Sequence, residues 1–568
     1  MRYLILHQFH YFIIAGAGGF FCDRRRRKKQ GSGGACTPSE RFEMGVPGLF
    51  SIISRRYKAC VRRAPDRPVR TLFVDFNCVV HSCVSEGATA VEVAEKCAAR
   101  VSALAGELGA SDVYMAADGV PAFAKMIQQR SRRFIARYVA PRCETRGFDR
   151  SLITPGTAFM DELDAWMGRW AARAGDAREG GAVYAYSGTD EEGEGEQKVM
   201  RELRERPAAS EGGSDGAFDG GAVDVVFGND ADLVLLGLML PEGRRPLVCR
   251  EEPGTIGSGG GGIAFVDGGV LLRELGRAVG LPGPARAEDV VVCSMLFGND
   301  FLPPLSCLEV NEAWLERLVR CAARGEGMLR DGWRSGPGGG LTAALSDLVA
   351  GLAETEDRDF ARADGAYWRA EAGRASRGKS QEEWWWERFP LVHRREELRN
   401  VRPGDAGWRG RYYGKLFVSA RLGRWNGGRQ DDKGGDGGGV AQTSARAFLA
   451  GVRWAVSYYA GEWPAGRGAQ PPPYFYPFDY GPTSADLLNV LKQEDGDEEE
   501  DCDEEEDIDA VHISREALWR FVNPEPRGLD DVTAYLHPTS AELTTYLRHR
   551  VWHCNAMLPF PTDMRHVV

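Results

Sequence analysis

Val223-Asp224-Val225-Val226-Phe227-Gly228-Asn229-Asp230-Ala231-Asp232 is the stretch on which the reading of this chain turns. A short apolar run rich in β-branched residues suits a buried parallel strand, and the Gly-Asn turn after it delivers two aspartates. The same grammar recurs on both sides. Thr71–Val74 ends at Asp75, Val113–Ala117 ends at Asp118, and Val290–Leu296 leads through Phe297-Gly298-Asn299 to Asp300. Helical patterns over Ala122–Tyr138 and Ala158–Ala174 separate these runs. Alternating strands and helices from Met44 to about Leu305 predict an α/β fold with a mostly parallel sheet. In such a sheet the C-terminal strand ends share one edge, where ligands bind.

Glu191-Glu192-Gly193-Glu194-Gly195-Glu196 adds two further candidates, so Asp75, Asp118, Glu194, Glu196, Asp230, Asp232 and Asp300 are expected to converge. A single aspartate after a strand is ordinarily a cap or turn residue. Its repetition at four run ends, with a Glu-x-Glu besides, outweighs that reading. Clustered carboxylates repel unless cations offset them. Oxygen-only ligation suits Mg²⁺ or Mn²⁺, and no His/Cys cluster suggests zinc. Two such ions about 4 Å apart clamp the attacking and leaving oxygens of a phosphodiester. Directly after Asp118 comes a basic helix over Pro121–Tyr138. In it Lys125, Gln129, Arg132 and Arg133 lie at i, i+4, i+7 and i+8, on one face. Such a face beside a metal site makes a phosphate pocket, although a solvated basic face has the same pattern.

The 568 residues suggest about three to four domains. The net charge of −11 is misleading, because thirteen acidic residues and no basic one lie between Glu494 and Asp509, leaving −11 + 13 = +2 for the rest. That run is expected to be a solvated, disordered insertion. Residues 1–43 hold a basic block, Arg24–Lys29, behind an apolar stretch, the reverse of a signal peptide. They read as a disordered extension or an upstream start ahead of Met44. Glycine-rich inserts at Glu211–Gly221, Gly254–Gly262 and Gly427–Gly439 read as surface loops. Thirteen cysteines form no C-x-x-C pair, which excludes a disulfide scaffold and a zinc ribbon. After the N-terminus no apolar run is long enough to cross a membrane. Beyond residue 310 the chain is more helical and rich in tryptophan, Trp384-Trp385-Trp386 included, which reads first as core. Gly373–Ser380 satisfies the P-loop pattern, yet Tyr367–Ala372 before it look helical, so no strand presents the loop and ATP dependence is not expected.

These segments, in their order, resemble the Xrn family of 5′→3′ exoribonucleases. The strings that carry the resemblance begin with Met44-Gly45-Val46-Pro47-Gly48-Leu49-Phe50, Asp75-Phe76-Asn77 with His81, and Asp118-Gly119-Val120 running on to Lys125–Phe134. They continue with Ile153–Thr157, Gly193–Lys198, Asp230–Leu233 and Gly298–Pro303, and more weakly with Arg411-Tyr412-Tyr413 and the stretch from Trp454 to Asp486. Two departures stand out. Gln197 occupies a place where the family usually has histidine, and Pro473-Tyr474-Phe475-Tyr476 stands where relatives carry tryptophans.

The resemblance implies a PIN/FLAP-like α/β nuclease core over 44–309 and a helical second conserved region over 310–490, resumed at 511–568 after the acidic insertion of 491–510. It implies that the seven carboxylates hold two Mg²⁺ ions and that Lys125, Gln129, Arg132 and Arg133 grip the 5′-monophosphate of single-stranded RNA. His81 would sit against the first base, with Trp454 and Trp463 as candidates for a second stacking aromatic. The implied reaction is processive hydrolysis from the 5′ end to 5′-mononucleotides, in RNA decay or processing, in nucleus or cytoplasm, with RNA-decay proteins as partners. Two rivals remain open: a structure-specific DNA flap endonuclease, which shares the carboxylate pattern, and a non-catalytic RNA-binding scaffold on the same fold.

Overall fold

Seven strands form one sheet in the order β1-β7-β6-β5-β2-β3-β4. They are β1 (Val61–Arg62), β2 (Val69–Asp75), β3 (Asp112–Ala116), β4 (Val183–Ser187), β5 (Val223–Phe227), β6 (Leu247–Glu251) and β7 (Ile263–Asp267). The structure is a computed structural model. It describes residues 49–119, 121, 122, 124, 125, 128, 148, 150–177, 181–206, 221–251, 262–308, 312–324, 327–329, 343–375, 401–416, 438–461, 474, 476, 478 and 480–497. Residues 1–48, Gln129, Arg132, Arg133, Trp384–Trp386, Trp463, residues 511–568 and nearly all of the glycine-rich inserts lie outside this set.

The central strands β6, β5, β2, β3 and β4 are mutually parallel, and β7 and β1 close one edge antiparallel. The predicted strands at 71–74, 113–117 and 223–227 are therefore present, within a residue or two of their expected ends. The chain leaves β2 toward β3 and β4 on one side, then returns across it to β5 and β6 on the other. Between β2 and β5 the connections diverge, and this is where an open parallel sheet forms its crevice.

The pleat divides the core. Phe73 and Val226 point to one face and Leu72, Val74, Val225 and Phe227 to the other. Helix α2 (Phe76–Cys83), α3 (Ala90–Leu108) and α4 (Ala158–Ala177) cover the second face. Local chemistry sets the ends of α3: Thr89 and Glu92 form a capping box, and Gly109 at φ +61° stops the helix. The first face is covered by α1 (Leu49–Arg56), α5 (Gly195–Glu205), α6 (Asp232–Leu238), α7 (Gly268–Val279) and α8 (Ala287–Met295).

The run at 290–296 is α8, a helix, and not the fourth strand that its valines suggest. It is buried nearly all round, so its pattern carries no period to separate helix from strand. Glu288 and Asp289 in its first turn complement the helix dipole, and the Ser294 hydroxyl donates back to the Val290 carbonyl at 2.7 Å. In the opposite direction, β4, β6 and β7 were not anticipated.

The same apolar core continues into the second region. It takes in α9 (Glu312–Ala322), α10 (Ala343–Ala353), α11 (Glu356–Ala375), α12 (Trp408–Leu416), α13 (Gly438–Ala460) and α14 (Ser484–Asp497). The P-loop pattern at Gly373 begins inside α11, in agreement with its rejection. Helix α14 takes Glu494, Asp495 and Asp497 of the acidic run into its last turn, so the helix outlasts the expected boundary there. Helix α13 packs against α6, α8 and α14 and so lies next to the acidic edge of the sheet. The described cysteines are free thiols, and among the described residues no helix is long and apolar enough to cross a membrane.

Candidate active site

Three of the carboxylates follow from the sheet alone. Asp75 is the last residue of β2, Asp118 lies two residues beyond β3, and Asp230 lies three beyond β5. Glu194 and Glu196 come from the turn after β4, at the start of α5. The Gly195 amide donates to Asp118 at 2.7 Å, tying that turn to the end of β3. Only glycine fits this approach, since a Cβ on residue 195 would lie 2.5 Å from the Ala116 carbonyl oxygen. Asp232 opens α6, and its amide donates to Asp230 at 2.9 Å.

Asp300 arrives differently. It follows a helix, through a turn that Gly298 makes at φ +86°. The Asn299 side-chain oxygen accepts from the amides of Phe301 and Leu302, both at 2.9 Å, and so shapes the loop that presents Asp300.

At the middle of the cluster is a lysine. Lys125 is 3% exposed, and its ammonium lies 2.6 Å from Glu194 Oε1 and 2.8 Å from Asp300 Oδ2. These carboxylates, with Glu196 and Asp230, hold the ammonium well above its ordinary pKa against the pull of burial. Even with Lys125 among them, three of the carboxylates are held above their ordinary range. Burial, then the carboxylates of Asp118 and Asp230, push Asp75 up to about 8. Burial likewise raises Glu194, even with Lys125 opposing it. Glu196 goes well above its ordinary value through burial and then the charges of Asp230, Glu194 and Asp232, again against Lys125.

The helix-cap alternative is answered at Glu194. This residue stands at the N-cap of α5 but makes no side-chain cap hydrogen bond; its oxygens go to Lys125 and to the Tyr458 hydroxyl. All seven predicted carboxylates therefore belong to one electrostatic cluster. Lys125, expected to line a phosphate pocket beside the carboxylates, lies inside their cluster. Gln129, Arg132 and Arg133, expected to share its basic face, lie outside the described residues. His81 is on α2, half-buried, with its Nδ1 3.5 Å from Arg150 Nη1. Burial and then the Arg150 charge lower its pKa to about 4. Trp454 is not a stacking platform for a base: it is 6% exposed, stacked between Tyr458 and Tyr474 at 5.0 and 5.5 Å.

Several residues of the site were not singled out from the sequence. Asn77 donates to Asp118 Oδ2 at 2.8 Å and accepts the Asp118 amide at 3.1 Å, clamping the two strand ends together. Lys198 is buried with its ammonium on the carbonyls of Ala117 and Gly188, at 2.9 and 2.6 Å. Burial lowers its pKa to about 8. Tyr458 and Tyr459, on α13, donate to Glu194 and Asp232. Asn77 and Lys198 sit inside the same short strings as the carboxylates, which was a usable signal. The tyrosines come from another region of the chain.

An all-oxygen donor set with surplus negative charge fits hard divalent cations. Among the described residues, no group of three or more His, Cys, Asp or Glu side chains is drawn together closely enough to hold a metal in this arrangement. The ammonium of Lys125 is the cation between Glu194 and Asp300.

Comparison with known proteins agrees with this architecture. Residues 44–252 match the family described as XRN 5'-3' exonuclease N-terminus, a PIN-like nuclease fold. The chain is similar to 5'-3' exoribonuclease 2 of Candida albicans, 27% identical over 367 residues, which are 51% of this chain and 37% of that protein. The 5'-3' exoribonuclease 2 homolog of Drosophila melanogaster is 27% identical over 392 residues, 51% of this chain and 42% of the relative. The 5'-3' exoribonuclease 1 of Saccharomyces cerevisiae is 29% identical over 310 residues, 47% of this chain and 20% of the relative. The chain thus spans well under half the length of these relatives. The acidic sheet edge and the ordered motifs lie largely within the matched segment, so residues 44–252 are similar to the N-terminal nuclease region of the Xrn 5'-3' exonucleases.

Proposed function

We propose that this protein is a divalent-metal-dependent 5′→3′ exoribonuclease, which hydrolyses single-stranded RNA bearing a 5′-monophosphate, processively, to 5′-mononucleotides. The observation that carries the reading is that the seven carboxylates interact in one buried cluster, with the Lys125 ammonium between Glu194 and Asp300. A stable fold does not require that much buried like charge, and the upward shifts of Asp75, Glu194 and Glu196 are in the direction that added cations would reverse.

Asp75, Asp118, Glu194, Glu196, Asp230, Asp232 and Asp300 would hold two Mg²⁺ or Mn²⁺ ions. Such ions supply a nucleophilic water at neutral pH and stabilise charge on the leaving oxygen. The protein's own groups do the rest. Asn77 and the Gly195 amide fix Asp118 in place. Once the carboxylate charge is offset, Lys125 retains a buried ammonium for a phosphate oxygen at the scissile end. Gln129, Arg132 and Arg133, which follow Lys125 in the same basic stretch of sequence, would extend that grip to the terminal phosphate and so disfavour a cap or triphosphate. His81, kept neutral by burial and Arg150, offers an uncharged ring to the first base. Contacts to backbone and base faces carry no sequence readout, so degradation is expected to be indifferent to sequence.

The test uses the purified chain with Mg²⁺ and 3′-labelled single-stranded RNA carrying 5′-monophosphate, 5′-hydroxyl or 5′-triphosphate, beside single-stranded DNA and a DNA flap. Degradation of the monophosphorylated RNA alone, with mononucleotides released, is the expected result. Arg132→Ala should erase the preference for monophosphate over hydroxyl ends. Cleavage of the flap would replace the reading with the endonuclease, and inertness of folded protein toward every substrate would replace it with the scaffold.

A further inference from the structure

Tyr458 and Tyr459 are consecutive on α13, and both hydroxyls end on carboxylates of the cluster, Glu194 Oε2 and Asp232 Oδ2 respectively. A buried tyrosine hydroxyl needs a partner, but the partner is not given in advance. Two neighbours in the same core show the ordinary solution. Tyr474 donates to the Ala447 carbonyl and Tyr476 to the Tyr480 carbonyl, each at 2.9 Å. Tyr458 and Tyr459 are directed instead at two acids carried by different helices, α5 and α6.

The rings have little freedom. Tyr458 stacks on Trp454 at 5.0 Å with planes 10° apart, and its edge meets Phe301, next to Asp300, at 5.3 Å. The end of α13 is itself anchored to α5, because Arg204 Nη2 donates to the Tyr459 carbonyl at 2.8 Å. Thus α5 contacts α13 at both of its ends: through Glu194 at the first and Arg204 at the last turn. A phenol so placed fixes one carboxylate oxygen, and with it the direction in which the other faces.

We propose that Tyr458 and Tyr459 are positioning residues for the active centre, holding Glu194 and Asp232 in the orientation that divalent cations require, so that α13 of the second region is a working part of the nuclease site. This rests on the metal-dependent reading given above. Removing a partner that orients a metal-binding side chain typically costs about 10–100-fold in metal affinity or activity.

The experiment compares the full chain as wild type, Tyr458→Phe, Tyr459→Phe and, as control, Tyr474→Phe. Phenylalanine keeps each ring and removes only the hydroxyl. Mn²⁺ binding is measured by calorimetry without RNA, the thermal midpoint is recorded, and kcat and KM are determined on 5′-phosphorylated RNA. Tyr458→Phe and Tyr459→Phe should each weaken Mn²⁺ binding about tenfold and lower kcat similarly, with KM for RNA within about twofold of wild type. Tyr474→Phe should lower the midpoint and leave Mn²⁺ affinity unchanged. The proposal is overturned for either residue whose variant binds Mn²⁺ and turns over as wild type does. It is overturned for both if Tyr474→Phe weakens the metal equally, or if the Phe variants lose cooperative melting. Wild type that neither binds Mn²⁺ nor degrades RNA would instead bring down the metal-dependent reading, and this inference with it.

Discussion

Asp232 shows how one side chain serves two levels of structure. It is 4% exposed at the start of α6, takes the Tyr459 hydroxyl, and adds its charge to Glu196. Asp232→Ala removes a cluster carboxylate and leaves the basic groups intact. Hydrolysis should fall by about 10³-fold or more, roughly 4 kcal/mol of barrier, while RNA still binds in a filter or anisotropy assay. Unchanged turnover would remove Asp232 from the site. His81 carries a pH prediction. Its folded pKa is about 4 against an ordinary 6.5, so the folded state favours the neutral ring. The stability this contributes is complete above about 6.5 and is lost as pH falls toward about 4. Thermal midpoints measured across that window should drop more steeply for wild type than for His81→Phe; parallel curves would refute the assignment. At this scale the sequence was most legible. Carboxylates after strands announce themselves, whereas a tyrosine in an apolar helix gives no sign that its hydroxyl meets an acid 264 positions away.

The start of α5 is the element on which the site depends most closely. It carries Glu194 and Glu196, and it approaches β3 so tightly that Gly195→Ala would place a methyl group 2.5 Å from the Ala116 oxygen. The helix start must then shift, at about 1–3 kcal/mol of stability. Activity should fall further than stability accounts for, because both glutamates move with it. Gly283→Ala, whose added methyl meets nothing within 4 Å, is the matched control in melting and nuclease assays. Equal behaviour of the two variants would show that the approach is not restrictive. Element type was legible where an environment was one-sided or an end was marked, as with Thr89, Glu92 and Gly109 around α3. It was not legible at 290–296, where burial on all sides erases the period that separates helix from strand.

At the scale of the whole molecule, one apolar core runs from Phe73 and Val226 in the sheet to Phe360, Tyr412 and Phe448 in the second region. A fragment ending at residue 308 would expose that face and lose both phenols, so it should be less stable and nearly inactive even though every carboxylate is present. A fragment with full nuclease activity would contradict this. Excess buried negative charge also couples the site to global stability. If the cluster binds divalent cations only when folded, Mn²⁺ at a hundred times its dissociation constant should stabilise the chain by about 2.7 kcal/mol. Scanning calorimetry should register a raised midpoint that Asp230→Ala abolishes; an equal rise in that variant would place the binding elsewhere.

From the sequence alone came the α/β class, the acidic edge, the resemblance to the Xrn nucleases and the identity of seven clustered carboxylates. These are legible because they depend on local order: strand, turn and acid follow one another within a few residues. Only the tertiary structure decided that Lys125 is buried among the acids, that Asp300 is delivered by a helix, and that α13 reaches the site with two hydroxyls. Those arrangements depend on which distant surfaces share a core and which charges must be offset once water is excluded. No local pattern of residues encodes either one.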